Sequence, residues 1–281
     1  MTTSGTGALA PNAPIVNLGN LYTSGAALSF TDTTHMVVGA GQVRDSTNGN
    51  DIIVGGNLYN SATDIAGESG TTNPVTVSSP VTINTAVIGA GGVDVGPAAP
   101  SLTINSTFSV YVIGDSRGFN SGSAVISLSA VKPQLPLGYD MWRFLGSVAT
   151  DGSGNLLSFN STTGNRTTYL GTPVSVLSAG AATTFTNVSL ASAGVPVNAT
   201  SVYLTATLVS DAGGARTAGL KAPSSSSTGG QVVLASPAST TTVSTVLVPV
   251  SLVSGVPTIA YLVSNAAASL SLSVTGYVYS V

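Results

Sequence analysis

The sequence predicts an all-β protein: two β domains, the C-terminal one a β-sandwich or jelly roll, preceded by an extended N-terminal arm. Three observations predict it. Lys and Glu are nearly missing, and few windows space apolar residues at i, i+3, i+4 and i+7, so helical signals are scarce. Thr- and Val-rich runs alternate polar and apolar residues at period two along most of the chain. Gly and Pro, at 33 and 14 of 281 residues, break those runs at short intervals together with Asn and Asp.

Residues 1–35 are Gly-, Pro- and Asn-rich with short apolar runs, and read as an extended arm or an edge strand added to a partner. Met1–Pro14 has neither a basic n-region nor an apolar h-region, so no targeting signal is expected there. Residues 36–172 read as a first β domain. Within it, Leu102–Ile113 alternates and stops at Gly114-Asp115, and Ala124–Val131 follows the turn-forming Gly118–Gly122. That pair predicts a hairpin. Thr167–Pro173 is the expected junction.

Residues 173–281 change texture: no His, Trp or Met, and three charged residues, Asp211, Arg216 and Lys221. Eight strands are expected there: Val174–Leu177, Thr183–Leu190, Ser201–Val209, Thr217–Lys221, Gly230–Leu234, Thr240–Val250, Thr258–Val263 and Leu270–Tyr279. Short strands at this even spacing predict a sandwich or jelly roll. In the last one, Leu270, Leu272 and Val274 share a face with Tyr277 and Tyr279 if Gly276 marks a bulge.

Charge sets limits on function. Charged residues are 6% of the chain, against about 25% in ordinary globular proteins. The seven basic and ten acidic side chains give a net charge of -3, and none lies beyond Lys221. The surface is therefore hydroxyl and amide, or is covered by partner subunits. No basic run is present, so nucleic acid is not an expected partner. Cysteine is absent, which removes disulfides, thiolate metal sites and thiol catalysis. No stretch of about 18 apolar residues occurs, so no helical membrane insertion is expected.

Several constellations could carry chemistry. Asp151-Gly-Ser-Gly-Asn155 sits between two apolar runs, and Asp151, Gly152, Gly154 and Asn155 read as a structural hairpin turn; a small calcium loop is the alternative. Arg44–Asp51 is the densest polar cluster. It reads as a solvated loop with Arg44 paired to Asp115 or Asp94; the alternative is a cation site of Asp45, Asn48, Asn50 and Asp51. Gly114-Asp-Ser-Arg-Gly118 invites comparison with a hydrolase block, but the single His, His35, would have to serve as the base. Trp142, Phe144 and Phe159 read as core aromatics, with Arg143 on the opposite face, salt-bridged or packed outward; a ligand platform of Trp142, Arg143 and Phe144 is the alternative. No catalytic, cofactor or metal residue is assigned.

The segment Pro133-Gln-Leu-Pro-Leu-Gly-Tyr-Asp-Met-Trp-Arg-Phe-Leu-Gly-Ser-Val-Ala-Thr-Asp-Gly-Ser-Gly-Asn-Leu-Leu-Ser-Phe159 resembles a run found in bacteriophage virion proteins of the tail-fibre, head-fibre and minor structural type. Val38–Asn48 with Asp51-Ile-Ile, and Ser109–Ser116, resemble blocks that precede it there. Two features depart from the pattern: Phe144 stands where a second basic residue is usual, and no long coiled-coil or collagen-like shaft is visible.

The resemblance implies a non-enzymatic virion structural protein, assembled in the host cytoplasm. A short fibre or spike, or a tail component, is the first expectation. The chain itself, as a homotrimer, and other virion proteins are the expected partners, with a host surface glycan met by the C-terminal domain. The expected contact residues are Asp211, Arg216, Lys221, Ser224 and Ser225, because loops at a sandwich end gather binding residues. A capsid decoration protein clamping coat subunits is the alternative, and a polysaccharide-degrading spike a weaker one.

Overall fold

The computed structural model describes residues 23–56, 78–94, 102–162, 167–225 and 232–279. Its secondary structure is strands plus one 3-10 turn at Ala191–Ala193. The first half contributes β1 (Thr23–Gly25), β2 (Leu28–Phe30), β3 (His35–Val38), β4 (Gly41–Arg44), β5 (Asp51–Ile53), β6 (Val81–Asn84), β7 (Gly92–Val93), β8 (Thr107–Gly114), β9 (Ser123–Ser127), β10 (Met141–Ala149) and β11 (Phe159–Ser161). The second contributes β12 (Thr167–Gly180), β13 (Thr186–Ser189), β14 (Ala199–Val209), β15 (Arg216–Lys221), β16 (Val232–Ser236), β17 (Thr241–Pro249), β18 (Ser251–Val253), β19 (Val256–Val263) and β20 (Ser269–Tyr279).

Period-two burial drives the second half. In β14, Val202, Leu204, Ala206 and Leu208 are fully buried, while Tyr203, Thr205, Thr207 and Val209 face outward. Each large aliphatic side chain so placed stabilises the fold by about 1.5–3 kcal/mol. In β20, Leu270, Leu272 and Val274 are buried, and so are Tyr277 and Tyr279. Tyr203 pairs with Gly276 and Leu204 with Val274, so Thr275 is skipped and a bulge shifts the phase by one residue.

The eight expected C-terminal strands all form, as β12–β17, β19 and β20. Counted one to eight in that order, one sheet reads 6-3-8-1 (β17-β14-β20-β12) and the other 2-7-4-5 (β13-β19-β15-β16). This is the two-sheet order of a jelly roll. Its core gathers Leu190, Leu204, Leu220, Ile259, Val263 and Leu272 between the sheets.

The first half is a second sandwich. Strands β11-β2-β3-β6 face β10-β8-β9-β7 across a separate core that includes Leu28, Met36, Ile83, Phe108, Val110 and Leu145. A small sheet, β1-β4-β5, lies beside it. The expected hairpin before the motif is β8 and β9, with Ile113 opposite Ser123.

Two cores are present, yet one eight-stranded sheet, β17-β14-β20-β12-β11-β2-β3-β6, runs through both. The expected junction at 172/173 falls inside β12, in the register break between Tyr169 and Val174, beyond which β12 pairs with β20 and no longer with β11. In the sheet the two halves meet at β11, which pairs with β2 on one side and β12 on the other. Of the expected N-terminal arm, residues 1–22 lie outside the described residues. The rest is not an arm: Ala26 and Leu28 are buried, and β2 pairs with β3 in register Leu28 to Val38.

Candidate functional site

The motif segment is built as a lid and a strand. Pro133–Asp140 crosses the outer face of β8-β9-β10, where Leu135 and Tyr139 cover Tyr111, Ile113 and Val125. The cover is pinned by polar contacts. The Gln134 N–H donates to Asp94 (2.9 Å), the Tyr139 hydroxyl to the Ser121 carbonyl (3.2 Å), and the Asp140 N–H to the Gly114 carbonyl (3.0 Å). Trp142 and Phe144 pack under this cover. The Lys132 ammonium sits 4.3 Å from the Trp142 ring centre, and Phe144 stands edge-on to Tyr111 and Tyr279.

Arg143 does not pack outward. It is 7% exposed, more buried than Trp142 or Phe144, because both faces of β10 are covered. Burial pushes its guanidinium downward, and the Asp45 carboxylate acts against that. Phe159 is buried as expected, but it lies in β11 against Phe30 rather than on a return strand beside β10. After the single bridge between Thr150 and Leu156, the chain leaves for the other sheet. The Asp151–Asn155 turn is therefore the expected hairpin turn, closed by one antiparallel bridge and by the Asp151 N–H to the Asn155 carbonyl (2.9 Å), and it serves as the corner from which the chain changes sheets.

The polar loops satisfy themselves. Asp151 accepts the N–H groups of Ser153 (2.8 Å) and Asn155 (2.9 Å), and Gly154 takes φ +81°. Asp45 accepts from Thr47, Gly49 and Asn50, so its oxygens close the loop. Arg44 pairs with Asp51 at 2.9 Å, not with Asp115 or Asp94. Asp115 holds Arg117 and the Asn120 backbone and amide, while Ser116 donates to Asp140. His35 contacts Asp32 and Thr34. Ser116 and His35 thus belong to different clusters. Among the described residues, no three His, Asp or Glu side chains gather as metal ligands would.

These carboxylates predict acid sensitivity. The Arg117 side chain holds Asp115 down to about 2, and the Asn155 and Ser153 N–H groups hold Asp151 below its usual range. Burial pushes Asp45 up, but its hydrogen bonds with Thr47, Asn50 and Gly49 outweigh that and lower it. Arg216 lowers Asp211. A folded value below the unfolded one, about 3.9, means that the unfolded chain binds protons first as pH falls. The stabilisation is complete above about pH 5 and is lost between about 4 and 2. The midpoint of thermal unfolding should be flat from pH 8 to 5 and then drop; a flat profile down to pH 2 would remove this role.

The expected contact residues are tied down as well. Arg216 grips Asp211 through two bonds, 2.6 and 3.0 Å. Lys221 donates to the Ser225 carbonyl and lies 4.2 Å from the Phe185 ring centre. Ser224 pairs with Ser251 at 3.0 Å. Residues 211–216 and 222–225 flank opposite ends of β15, six residues or about 20 Å apart, so they do not form one site. Residues 226–230 of the second loop lie outside the described residues.

Two surfaces that sequence reading missed are available for contact. A groove of about 330 Å³ separates the halves, lined by Asn105, Ser106, Leu128, Val195, Asn198 and Pro257 among others. Its lining holds no ionisable group; it can hydrogen-bond a neutral ligand and offers no acid or base. The second is the outer face of β17-β14-β20-β12. Tyr169 and Tyr203 meet over Gly276 with ring centres 5.3 Å apart, and Leu247 stands opposite Tyr203. Their spacing becomes readable only when the register is known. No protein family, curated protein or solved structure matches the chain.

Proposed function

We propose that this chain is a non-enzymatic bacteriophage virion structural protein, a short fibre, spike or tail component that self-associates as a homotrimer and meets a host surface glycan through its jelly roll. The observation that carries the reading is the role of Pro133–Phe159. The phage-type segment acts as lid, strand and corner of a sandwich, its aromatic residues packing the lid and strand, and Phe144 links it to the jelly roll. A segment that serves architecture agrees with the architectural proteins it resembles. The near absence of charge supports life inside an assembly. The groove between the halves is uncharged and mostly apolar, with a few hydroxyls and amides, which suits a neutral ligand such as a glycan better than a charged one.

The test is quantitative mass spectrometry and antibody-labelled electron microscopy of virions that carry the chain. Tens of copies or fewer, labelled at the tail or as projections, support the reading. Hundreds of copies over the shell would make it a capsid decoration protein instead, and absence from the particle would refute both. Purified protein should also compete with virions for adsorption. Deleting residues 222–230 should weaken that competition; unchanged competition would release this loop from the receptor contact. Release of reducing ends from host polysaccharide would replace the reading with a degrading spike.

A further inference from the structure

The outer face of β17-β14-β20-β12 is free of charge and carries exposed apolar side chains. Its rows follow from the strand register. One reads Leu247, Tyr203, Gly276 and Tyr169; the next reads Thr245, Thr205, Ser273 and Ser175; the third runs Val243, Thr207 and Ser271. Val209 lies at the end of β14. No residue of the four strands is charged. Val243 is 62% exposed, Leu247 44%, Val209 41% and Tyr169 40%, so large apolar groups of this face stand in water.

We infer that this face is the contact between copies of the chain, centred on Tyr169, Tyr203 and Leu247. The inference rests on the self-associating part of the proposed function and names its surface; the same face meeting on two copies closes as a twofold pair, so here a dimer takes the place of the trimer. Three arguments select a second copy as the occupant. A charge-free face meets its own copy without like-charge repulsion and gives a charged partner nothing to pair with. Strand β17 is the edge of the sheet, nine residues long without Lys, Arg, Asp or Glu, whereas edges left in solvent are normally guarded by charge.

Area is the third argument. Four strands of nine residues, at about 4.8 by 3.3 Å per residue, cover about 570 Å², or about 1,100 Å² counted on both copies. That reaches the roughly 1,000 Å² a specific interface needs. Ser and Thr hydroxyls between the apolar groups can bond across such a contact.

The test uses the whole chain at micromolar concentration. Thr205→Lys places a cation at mid-face on an outward side chain, and Thr217→Lys does the same on the outer face of the other sheet. Thr205→Lys should weaken self-association on the order of 100-fold and yield folded monomer by sedimentation, while Thr217→Lys leaves the assembly intact. The chain has no cysteine, so single Cys variants report cleanly. Leu247→Cys should react with a bulky maleimide far more slowly than Thr217→Cys in the assembly, and equally fast once dilution has separated the copies.

This second readout also covers a Thr205→Lys that fails to fold. An oligomeric wild type with Thr205→Lys still oligomeric and Leu247→Cys freely labelled would overturn the face while leaving self-association standing. A monomeric wild type would overturn both. A monomer retained on neutral polysaccharide through Tyr169 and Tyr203 would make the face a sugar site and overturn the inference.

Discussion

Tyr277→Ala is expected to lower the stability of the chain by about 3–5 kcal/mol, the cost of emptying a large aromatic from a packed interior. Tyr277 is fully buried, and its hydroxyl donates to the Ser147 carbonyl at 3.0 Å. Burial pushes that hydroxyl far above its usual range, so it stays a donor at every working pH. The bond joins β20 of the jelly roll to β10 of the first sandwich. Beside it, Tyr279 packs on Phe144 and its hydroxyl lies 3.3 Å from that of Thr168.

The substitution is therefore expected to unfold both halves together. Trp142, the single tryptophan, lies in the first half and reports on it alone. Urea unfolding followed by Trp142 fluorescence and by circular dichroism should shift by the same amount. A shift in circular dichroism with fluorescence unmoved would mean that the shared sheet does not couple the two cores.

Gly276→Val is expected to cost about 1–3 kcal/mol through overpacking. A Cβ at 276 would stand 2.7 Å from the Thr168 carbonyl oxygen and about 3 Å from Tyr169. The obstacle is backbone, which cannot rotate aside as a side chain can. The Tyr169 and Tyr203 rings that close over the glycine would separate as well. Ser273→Val, on the same face, should change stability by no more than about 0.5 kcal/mol. Equal effects at the two positions, measured as urea midpoints at constant slope, would show that the bulge tolerates a side chain.

Much of the jelly roll was legible because its code is local. Alternation in Val202–Val209 and Leu270–Val274 names the buried face directly, and Gly276 followed by Tyr277 and Tyr279 announces the change of phase. Arg143 misled for the converse reason. Alternation assigns two faces to β10 but cannot say that both are covered, and the lid over Trp142 comes from residues that alternation does not connect to it. The Arg44–Asp51 pair is not legible in the sequence because the turn from Asp45 to Asn50, which returns Asp51 to Arg44, is set by hydrogen bonds to one carboxylate. The loops expected to bind a receptor carry the only charges of the C-terminal half, Asp211, Arg216 and Lys221. Those charges hold the loops themselves together.

By itself the sequence determined the all-β class, the eight C-terminal strands, the bulge near Gly276 and the poverty of charge. Each is written in neighbouring residues, where side-chain period and backbone preference act directly. The tertiary structure decided that β11 joins two cores into one sheet, that the Asp151 turn is a corner, and that Tyr169, Tyr203 and Leu247 form one neutral row. These depend on which strands pair and in what register, and pairing is settled by burying apolar faces of segments far apart in the chain.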